Sequence, residues 1–168
     1  MDLARESPLD ALVYRDVVGR FPTGVTVIST RSPSGVRLMT ANSFTSVSLE
    51  PLLVLVCIEL SARFHPAVVA AREWGVSVLA ADQEPLSRLF AVRGGAEQEL
   101  AVPHRLGPLT GAPLLDGAVV QMECRTVAEH PGGDHTILIG SVLDCAVTRD
   151  DVGPLVFYLG DYTGLPRS

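Results

Sequence analysis

The sequence predicts a mainly β protein, an antiparallel barrel with a few peripheral helices, and three observations lead to this prediction. Most apolar segments have the length and β-branched composition of strands, hairpin turns separate several of them, and three segments with helical spacing lie between them. The chain has 168 residues, the size of one domain, and 47% hydrophobic residues are too many for a disordered chain. We therefore expect a single domain over residues 1–168.

Charge and cysteine content exclude several classes of protein. The net charge is −6 and the basic residues are scattered, which argues against nucleic acid or an anionic membrane as the main partner. All 13 basic residues are arginine, so a Schiff-base or phosphate-loop lysine is excluded. Cys57, Cys124 and Cys145 lie far apart in apolar runs, which is typical of buried thiols in a reducing compartment. With no apolar leader or spanning run, we expect a cytoplasmic protein.

The first third of the chain predicts one helix and three strands. A helix is expected at about residues 8–18, with Ser7 as its N-cap, Pro8 at its first position and Gly19 after its end. Residues 24–30 and 36–41 read as a hairpin. The polar segment after it indicates a wide loop with many hydrogen-bonding groups. Residues 52–59 form an almost continuous apolar run, which predicts a strand covered on both faces.

The remaining elements follow from the same signals. The sequence predicts a helix near residues 65–72 capped by Ser61, a strand at 74–80, a helix at 82–91, a long loop at 92–116 that could act as a lid, and strands at 120–128, 137–147 and 155–159. Residues 120–128 alternate with a period of two. This pattern, continued to Glu129, predicts that Gln121, Glu123, Arg125 and Glu129 face solvent.

Motifs for common nucleotide sites and for hydrolases are missing. No GxGxxG, GxxxxGK[ST] or GxSxG pattern occurs, so Rossmann, phosphate-loop and esterase sites have no support. The hydroxyl-rich segment at residues 40–48 could bind a phosphate and a carbonyl-rich heterocycle, or it could be an ordinary polar turn. His135 follows Asp134 in a turn, where it is either a local hydrogen-bonding residue or a site residue.

Twelve consecutive residues, 40–51, and the strand after them carry a family resemblance. They read TANSFTSVSLEP and resemble the flavin reductase-like family, the small reductase components of two-component flavin monooxygenases. Residues 21–27, 89–91, 133–136 and 154–162 resemble further segments of that family. The resemblance implies a Greek-key FMN-binding split barrel, an NAD(P)H:flavin oxidoreductase that uses FMN or FAD with NADH or NADPH, a homodimer with flavin near the interface, and a separate monooxygenase that receives reduced flavin.

The resemblance also implies a set of site residues. His135, in the segment GDHT, would be catalytic and lie by the flavin and the nicotinamide. The flavin-binding residues would be Thr40, Ala41, Asn42 and Ser43 at the ribityl chain and phosphate, Thr45 and Ser46 at the isoalloxazine ring, Cys57, Ile58 and Ser61 on the other side of the chain tail, Phe90 and Arg93 at the phosphate end, and Tyr162 in the C-terminal strand.

The chain departs from the family pattern at several positions. Leu38 replaces a usual glycine, Leu52 replaces the second proline of an acidic-Pro-Pro pattern, Ser77 replaces an asparagine, and residues 94–100 lack an expected Arg/Lys-Phe pair. These departures leave the choice between FMN and FAD open. Two alternatives to a reductase also stay open: a flavin carrier or oxidase on the same barrel, and a binding module that has lost flavin.

Overall fold

The structure is a computed structural model that describes residues 9–33, 35–92 and 102–165. Within these ranges the helices are α1 (Ala11–Val18), α2 (Phe64–Ala71) and α3 (Glu84–Ala91), the last preceded by a 3₁₀ turn (Ala81–Gln83). The strands are β1 (Thr23–Gly24), β2 (Thr26–Ser32), β3 (Gly35–Ala41), β4 (Thr45–Leu49), β5 (Leu52–Glu59), β6 (Glu73–Val78), β7 (His104–Leu106), β8 (Pro113–Leu115), β9 (Val120–Gly132), β10 (His135–Val147), β11 (Leu155–Tyr158) and β12 (Asp161–Gly164).

Seven strands form one antiparallel sheet in the order β3-β2-β6-β9-β10-β5-β4. Strand β3 also lies against β5, so the sheet curls into a partly closed barrel whose edge strands, β3 and β4, are joined by residues 42–44. A three-stranded sheet (β1-β11-β12) and a two-stranded hairpin (β7-β8) complete the fold. The predicted antiparallel barrel with peripheral helices is confirmed.

The core is divided between two clusters of buried side chains. One cluster packs beneath α2 around the fully buried Trp74. Gly140 lies under the indole ring, where an added Cβ would come within 2.4 Å of Trp74 Cζ2, so a side chain at this position would displace the ring. The other cluster packs beneath α3 and includes Leu79, Phe90 and Leu155. Tight packing in both clusters fixes the strands from which the surface loops project.

Helix α1 lies on the surface and buries no side chain. It begins at Ala11, where the carboxylate of Asp10 accepts a hydrogen bond from the backbone N–H of Leu12 at 2.6 Å and caps the helix. The predicted start at about residue 8 was therefore too early, while Ser7 and Pro8 themselves lie outside the described residues. The predicted end of the helix is confirmed.

The predicted wide polar loop after β3 is wrong for most of its length. Residues 45–49 form β4, which pairs with β5 so that Thr45 lies opposite Leu55 and Ser46 opposite Val54. Most side chains of β4 are exposed. Because an exposed edge strand tolerates polar side chains as well as a loop does, composition could not distinguish the two. Only residues 42–44 form a non-strand link.

Strand β5 has its predicted bounds, but it is not covered on both faces. Every second side chain is buried in the core, whereas the alternate side chains are half-buried on the opposite face. This second face continues onto β10 through direct cross-strand pairs. We call it the apolar face of β5; its members are Leu53, Leu55, Cys57, Ile137 and Ile139.

The segment at 102–116, predicted as part of a loop, contains the β7-β8 hairpin. This hairpin covers strands β2, β6 and β9 from outside. Ser29 Oγ donates to the carbonyl oxygen of Pro113, and the backbone N–H of Leu115 donates to Ser77 Oγ at 2.9 Å. Gly75 leaves the space that Leu114 fills, since an added Cβ would come within 2.7 Å of Leu114 Cδ2.

The hairpin segment buries two side chains of β9 that were predicted to face solvent. The side chain of Gln121 is buried, and its Oε1 accepts a hydrogen bond from Arg105 Nε at 2.8 Å. Glu123 is only 1% exposed. Its Oε2 accepts hydrogen bonds from the backbone N–H of Leu109 at 3.0 Å, and from the N–H and hydroxyl of Thr110 at 2.7 Å each. The prediction holds for Arg125 and Glu129, which are exposed.

The three cysteines are free thiols with different exposure. Burial raises the pKa of Cys124 to about 12 and also raises the pKa of the half-buried Cys57. Cys145 is exposed, so the predicted burial is wrong at this position. The reason is its place in β10, because β5 covers that strand only as far as Ser141.

The helices of the described ranges have eight residues each, and none of them is a candidate for crossing a membrane.

Candidate functional site

A cleft of about 860 Å³ opens where residues 42–45 leave the end of β3. We call it the main cleft. Its walls come from the end of α1, the chain through β1, the link to β4, and the turn between β11 and β12. A smaller pocket of about 180 Å³, the inner pocket, is lined by Val25, Thr40, Asn42, Phe157 and Tyr162. Because Asn42 and Phe157 line both, the two spaces adjoin.

Backbone pairing between strands and one turn contact hold these walls together. In β1, Thr23 and Gly24 pair with Phe157 and Val156 of β11, so two sides of the main cleft belong to one small sheet. The turn from β11 to β12 has positive φ angles at Leu159 (51°) and Gly160 (83°), as a tight hairpin turn requires. The backbone N–H of Leu159 donates to the carbonyl oxygen of Gly19 at 2.8 Å and ties the end of α1 to this turn.

The hydroxyl groups after β3 already donate within the protein. Thr40 Oγ1 donates to the carbonyl oxygen of Ser87 at 2.7 Å. Ser43 Oγ bridges the backbone of Cys57, accepting from its N–H at 3.0 Å and donating to its carbonyl oxygen at 3.1 Å. These hydroxyls therefore offer a ligand only acceptor lone pairs. The donors of the link must be backbone N–H groups and the exposed Asn42 amide, which is a narrower donor set than the composition indicated.

Tyr162 lies at the wall of the inner pocket within a polar and aromatic group. Its ring contacts Phe157, with centroids 5.2 Å apart, and the guanidinium of Arg88 lies 4.8 Å from its ring centroid. Ser87 Oγ donates to the Tyr162 hydroxyl oxygen at 2.8 Å, so the phenol keeps its own proton for another acceptor. Arg88 is paired with Glu84 at 2.7 Å, which raises its pKa.

Thr23 supplies a hydroxyl that has no partner. Its Oγ1 is buried and forms no hydrogen bond with any described residue, although the residue lines the main cleft. A buried hydroxyl without a partner is destabilising, and native proteins contain few of them. A ligand with a polar edge in the main cleft would supply the missing partner. This orphaned group fits a bound heterocycle with carbonyl and ring nitrogen atoms.

His135 lies at the start of β10, away from the walls of the main cleft. Its Nδ1 is 2.7 Å from Asp134 Oδ1, and this contact lowers the pKa of the Asp134 carboxyl group. Across the sheet it pairs with Glu59, whose carboxylate accepts a hydrogen bond from Ser61 Oγ. From the register through Cys57, the Cα atoms of His135 and Ser43 lie about 12 Å apart.

The other predicted site residues are divided between core and surface. Ile58 and Phe90 are buried in the two core clusters, so their side chains do not reach either cavity. Ser46 is exposed on β4, and Ser61 is exposed after β5, where it bonds to Glu59 instead of capping α2. Arg93 lies outside the described residues. The predicted residues that line the cavities are Thr40, Asn42, Ser43, Thr45 and Tyr162; Ala41, which is buried beside them, accepts a hydrogen bond from Thr26 Oγ1 through its carbonyl oxygen.

Several wall residues were not predicted from the sequence, among them Arg15, Phe21, Thr23 and Phe157. The segments around the last three had been recognised as family-like, but nothing in them marked a cleft. Arg15 did carry a signal, because no acidic residue lies three or four positions from it on the helix. A helical arginine without such a neighbour is available for another anion.

Three comparisons with known proteins bear on this site. The sequence model described as "Flavin reductase like domain" matches residues 18–166. An "NADH-dependent flavin reductase" from Rhodococcus is 44% identical over 92% of the chain and 86% of its own length. The reductase subunit HsaB of a flavin-dependent monooxygenase from Mycobacterium tuberculosis is 34% identical over 94% of the chain and 83% of its own length.

A solved structure shows the same similarity in three dimensions. The NADH:FAD oxidoreductase SgcE6 of Streptomyces globisporus, in complex with NAD and FAD fragments, superimposes with a TM-score of 0.89 at 41% identity. The match covers 96% of each chain.

Proposed function

The chain belongs to the flavin reductase-like family, and from this premise we propose that it is an NAD(P)H:flavin oxidoreductase that reduces FMN or FAD and supplies reduced flavin to a separate monooxygenase. NADH is the expected donor, because the names of the Rhodococcus and Streptomyces relatives specify NADH. The flavin site is the main cleft with its inner pocket.

The orphaned hydroxyl of Thr23 is the observation that carries this assignment of the site. The two cavities also offer neutral ligating groups: backbone amides, the Asn42 side chain, and the acceptor lone pairs of Thr40 and Ser43. Such groups suit the polar edge of an uncharged ring system. Phe157 supplies an apolar surface between the two cavities.

The reaction does not require a strong acid or a strong base from the protein. When bound together, a flavin and a reduced nicotinamide supply the hydride acceptor and the hydride donor themselves. The residues of the cleft hold the ring, orient it and exclude water from it. In this proposal His135, fixed through Nδ1 by Asp134, presents Nε2 to the nicotinamide and orients it. No charged catalytic group is needed, which agrees with the uncharged side chains of residues 40–45.

Absorbance at 340 nm tests the proposed function directly. We expect NADH to be oxidised in the presence of FMN or FAD, and measurements with riboflavin and with NADPH rank the substrates. A carrier would bind flavin without consuming NADH. A degenerate binding module would leave the fluorescence of added flavin unquenched. Either result would reject the reductase assignment.

Replacing Thr23 by Val should separate ligand binding from stability. The substitution removes the unpartnered hydroxyl and keeps the shape of the side chain, so the free energy of unfolding should stay constant or rise by up to about 1 kcal/mol. Flavin binding should weaken roughly three- to tenfold, the range for one lost neutral hydrogen bond. Urea unfolding and flavin fluorescence titration measure the two quantities.

The matched control is Thr30→Val. The Thr30 hydroxyl is buried outside the cleft and donates to the carbonyl oxygen of Glu73 at 2.7 Å. Its loss should lower stability by about 1 kcal/mol without changing flavin affinity. Equal flavin affinity in Thr23→Val and the wild type would remove Thr23 from the site.

We also propose a homodimer in the cytoplasm. The apolar face of β5 is only half-buried in one chain, and the edge strand β4 beside it lacks a partner on its outer side within the described residues. A second copy would cover both. Sedimentation equilibrium measures the mass in solution, and a monomer at micromolar concentration would refute the dimer. The free thiols agree with a reducing compartment, which cell fractionation would check.

A further inference from the structure

Arg15 is one of five described arginines that lack an acidic partner, and of these five it is the one that lines the main cleft. Among the described residues, Arg20, Arg72, Arg88, Arg125 and Arg149 each lie within 4.0 Å of a carboxylate. Arg15 forms no ion pair and no side-chain hydrogen bond with any described residue, and it lines the main cleft. It is therefore a cation in the wall of the main cleft without an acidic partner among the described residues.

The sequence of α1 explains why this charge stays free. The positions three and four residues away from Arg15 hold only apolar residues and Gly19. The adjacent acid, Asp16, forms an ion pair with Arg20 at 3.3 Å. No local carboxylate therefore competes with an incoming anion for the Arg15 guanidinium.

The position of Arg15 indicates which anion it meets. The walls of the inner pocket, on the far side of Asn42 and Phe157, do not include it. Thr40 and Asn42 line that pocket, and the family resemblance implies that they contact the ribityl chain and phosphate of the flavin. Arg15 lies instead on an exposed helix in the wall of the main cleft, accessible to a substrate that enters and leaves in each turnover.

From these observations, and resting on the proposed function, we infer that Arg15 binds the diphosphate of the dinucleotide hydride donor. A guanidinium presents paired N–H donors that match phosphate oxygens. Its charge also offsets the repulsion between a chain of net charge −6 and an anionic substrate. Arg15 thus selects donors that carry phosphate.

Steady-state kinetics with two donors test this inference. Arg15→Gln should raise the KM for NADH about tenfold or more, the effect of losing a hydrogen bond to a charged group, and Arg15→Lys should recover part of the loss. The KM for FMN should stay within about twofold of the wild type. With the phosphate-free donor 1-benzyl-1,4-dihydronicotinamide, Arg15→Gln and the wild type should be equal, because that donor has no anion for Arg15 to bind.

The charge-matched control is Arg31→Gln. Arg31 is exposed on β2 and forms no ion pair with a described residue, but it lies at the end of the strand remote from residues 42–45. The substitution Arg31→Gln removes the same unit of charge, and the KM of this variant for NADH should equal that of the wild type.

A binding measurement complements the kinetics. Calorimetric titration with ADP-ribose, in the presence of saturating FMN, should show about tenfold weaker binding to Arg15→Gln.

Three results would overturn the inference. An equal loss of activity with the phosphate-free donor would show that Arg15 does not act through phosphate. A raised KM for FMN, with that for riboflavin unchanged, would assign Arg15 to the flavin phosphate. ADP-ribose binding that is unaffected by Arg15→Gln would exclude the diphosphate contact. If the wild type oxidised no donor, the proposed function would fail, yet the ADP-ribose titration would still decide the role of Arg15.

Discussion

Replacing Glu123 by Ala should lower the free energy of unfolding by roughly 2–3 kcal/mol, because three partly buried donors lose their acceptor. The Glu123 carboxylate accepts hydrogen bonds from two consecutive backbone N–H groups, of Leu109 and Thr110, and from the Thr110 hydroxyl. These hydrogen bonds hold the turn between β7 and β8 against β9. Gly107 approaches it so closely that an added Cβ would lie 2.3 Å from Oε2.

Urea unfolding of Glu123→Ala and Glu129→Ala measures this effect against a control on the same strand. Glu129 is exposed and forms a 3.7 Å ion pair with Arg72, so its replacement should change stability by less than about 1 kcal/mol. A loss below about 1 kcal/mol for Glu123→Ala would mean that the turn at residues 107–111 finds other acceptors or water.

Replacing His135 by Ala should raise the KM for the nicotinamide donor about tenfold, or lower kcat by a similar factor, while flavin affinity stays unchanged. The imidazole is held through Nδ1 by Asp134, and its Nε2 has no partner among the described residues. Loss of a positioned hydrogen bond to the donor accounts for a factor of this size.

Three variants distinguish a positioning role for His135 from a structural one. Asp134→Asn removes the carboxylate that fixes the ring, so it should reproduce part of the kinetic effect. His130→Ala, which removes an exposed histidine on β9, should behave like the wild type. Unchanged kinetics for His135→Ala, measured at 340 nm with varied NADH and with varied FMN, would remove this residue from the site.

The parts of the fold that depend on local sequence patterns were predictable. The bounds of β5 and the hairpin of β9 and β10 follow from apolar runs and turn residues that act over short distances. The burial of Glu123 was not predictable, because it depends on a hairpin that returns to β9 from residues 104–115. A polar residue on an alternating strand is expected to face solvent unless such a distant segment covers it.

The site was predictable in its position but not in its hydrogen bonding. The resemblance led to residues 40–45, and the main cleft does open there. Sequence could not show that the Thr40 and Ser43 hydroxyls already donate to backbone carbonyls, or that Thr23 lacks a partner. Both facts depend on which segments pack beside Thr23, Thr40 and Ser43, and therefore on the closure of the barrel.

The exposure of all side chains of α1 has an evolutionary consequence. No side chain of this helix is buried, so substitutions there carry little risk to the barrel core. The same eight residues contain Arg15, in the wall of the main cleft. Descendants of this enzyme can therefore acquire a preference for a different electron donor by drift in one surface segment, without first accumulating mutations that compensate for a weakened fold.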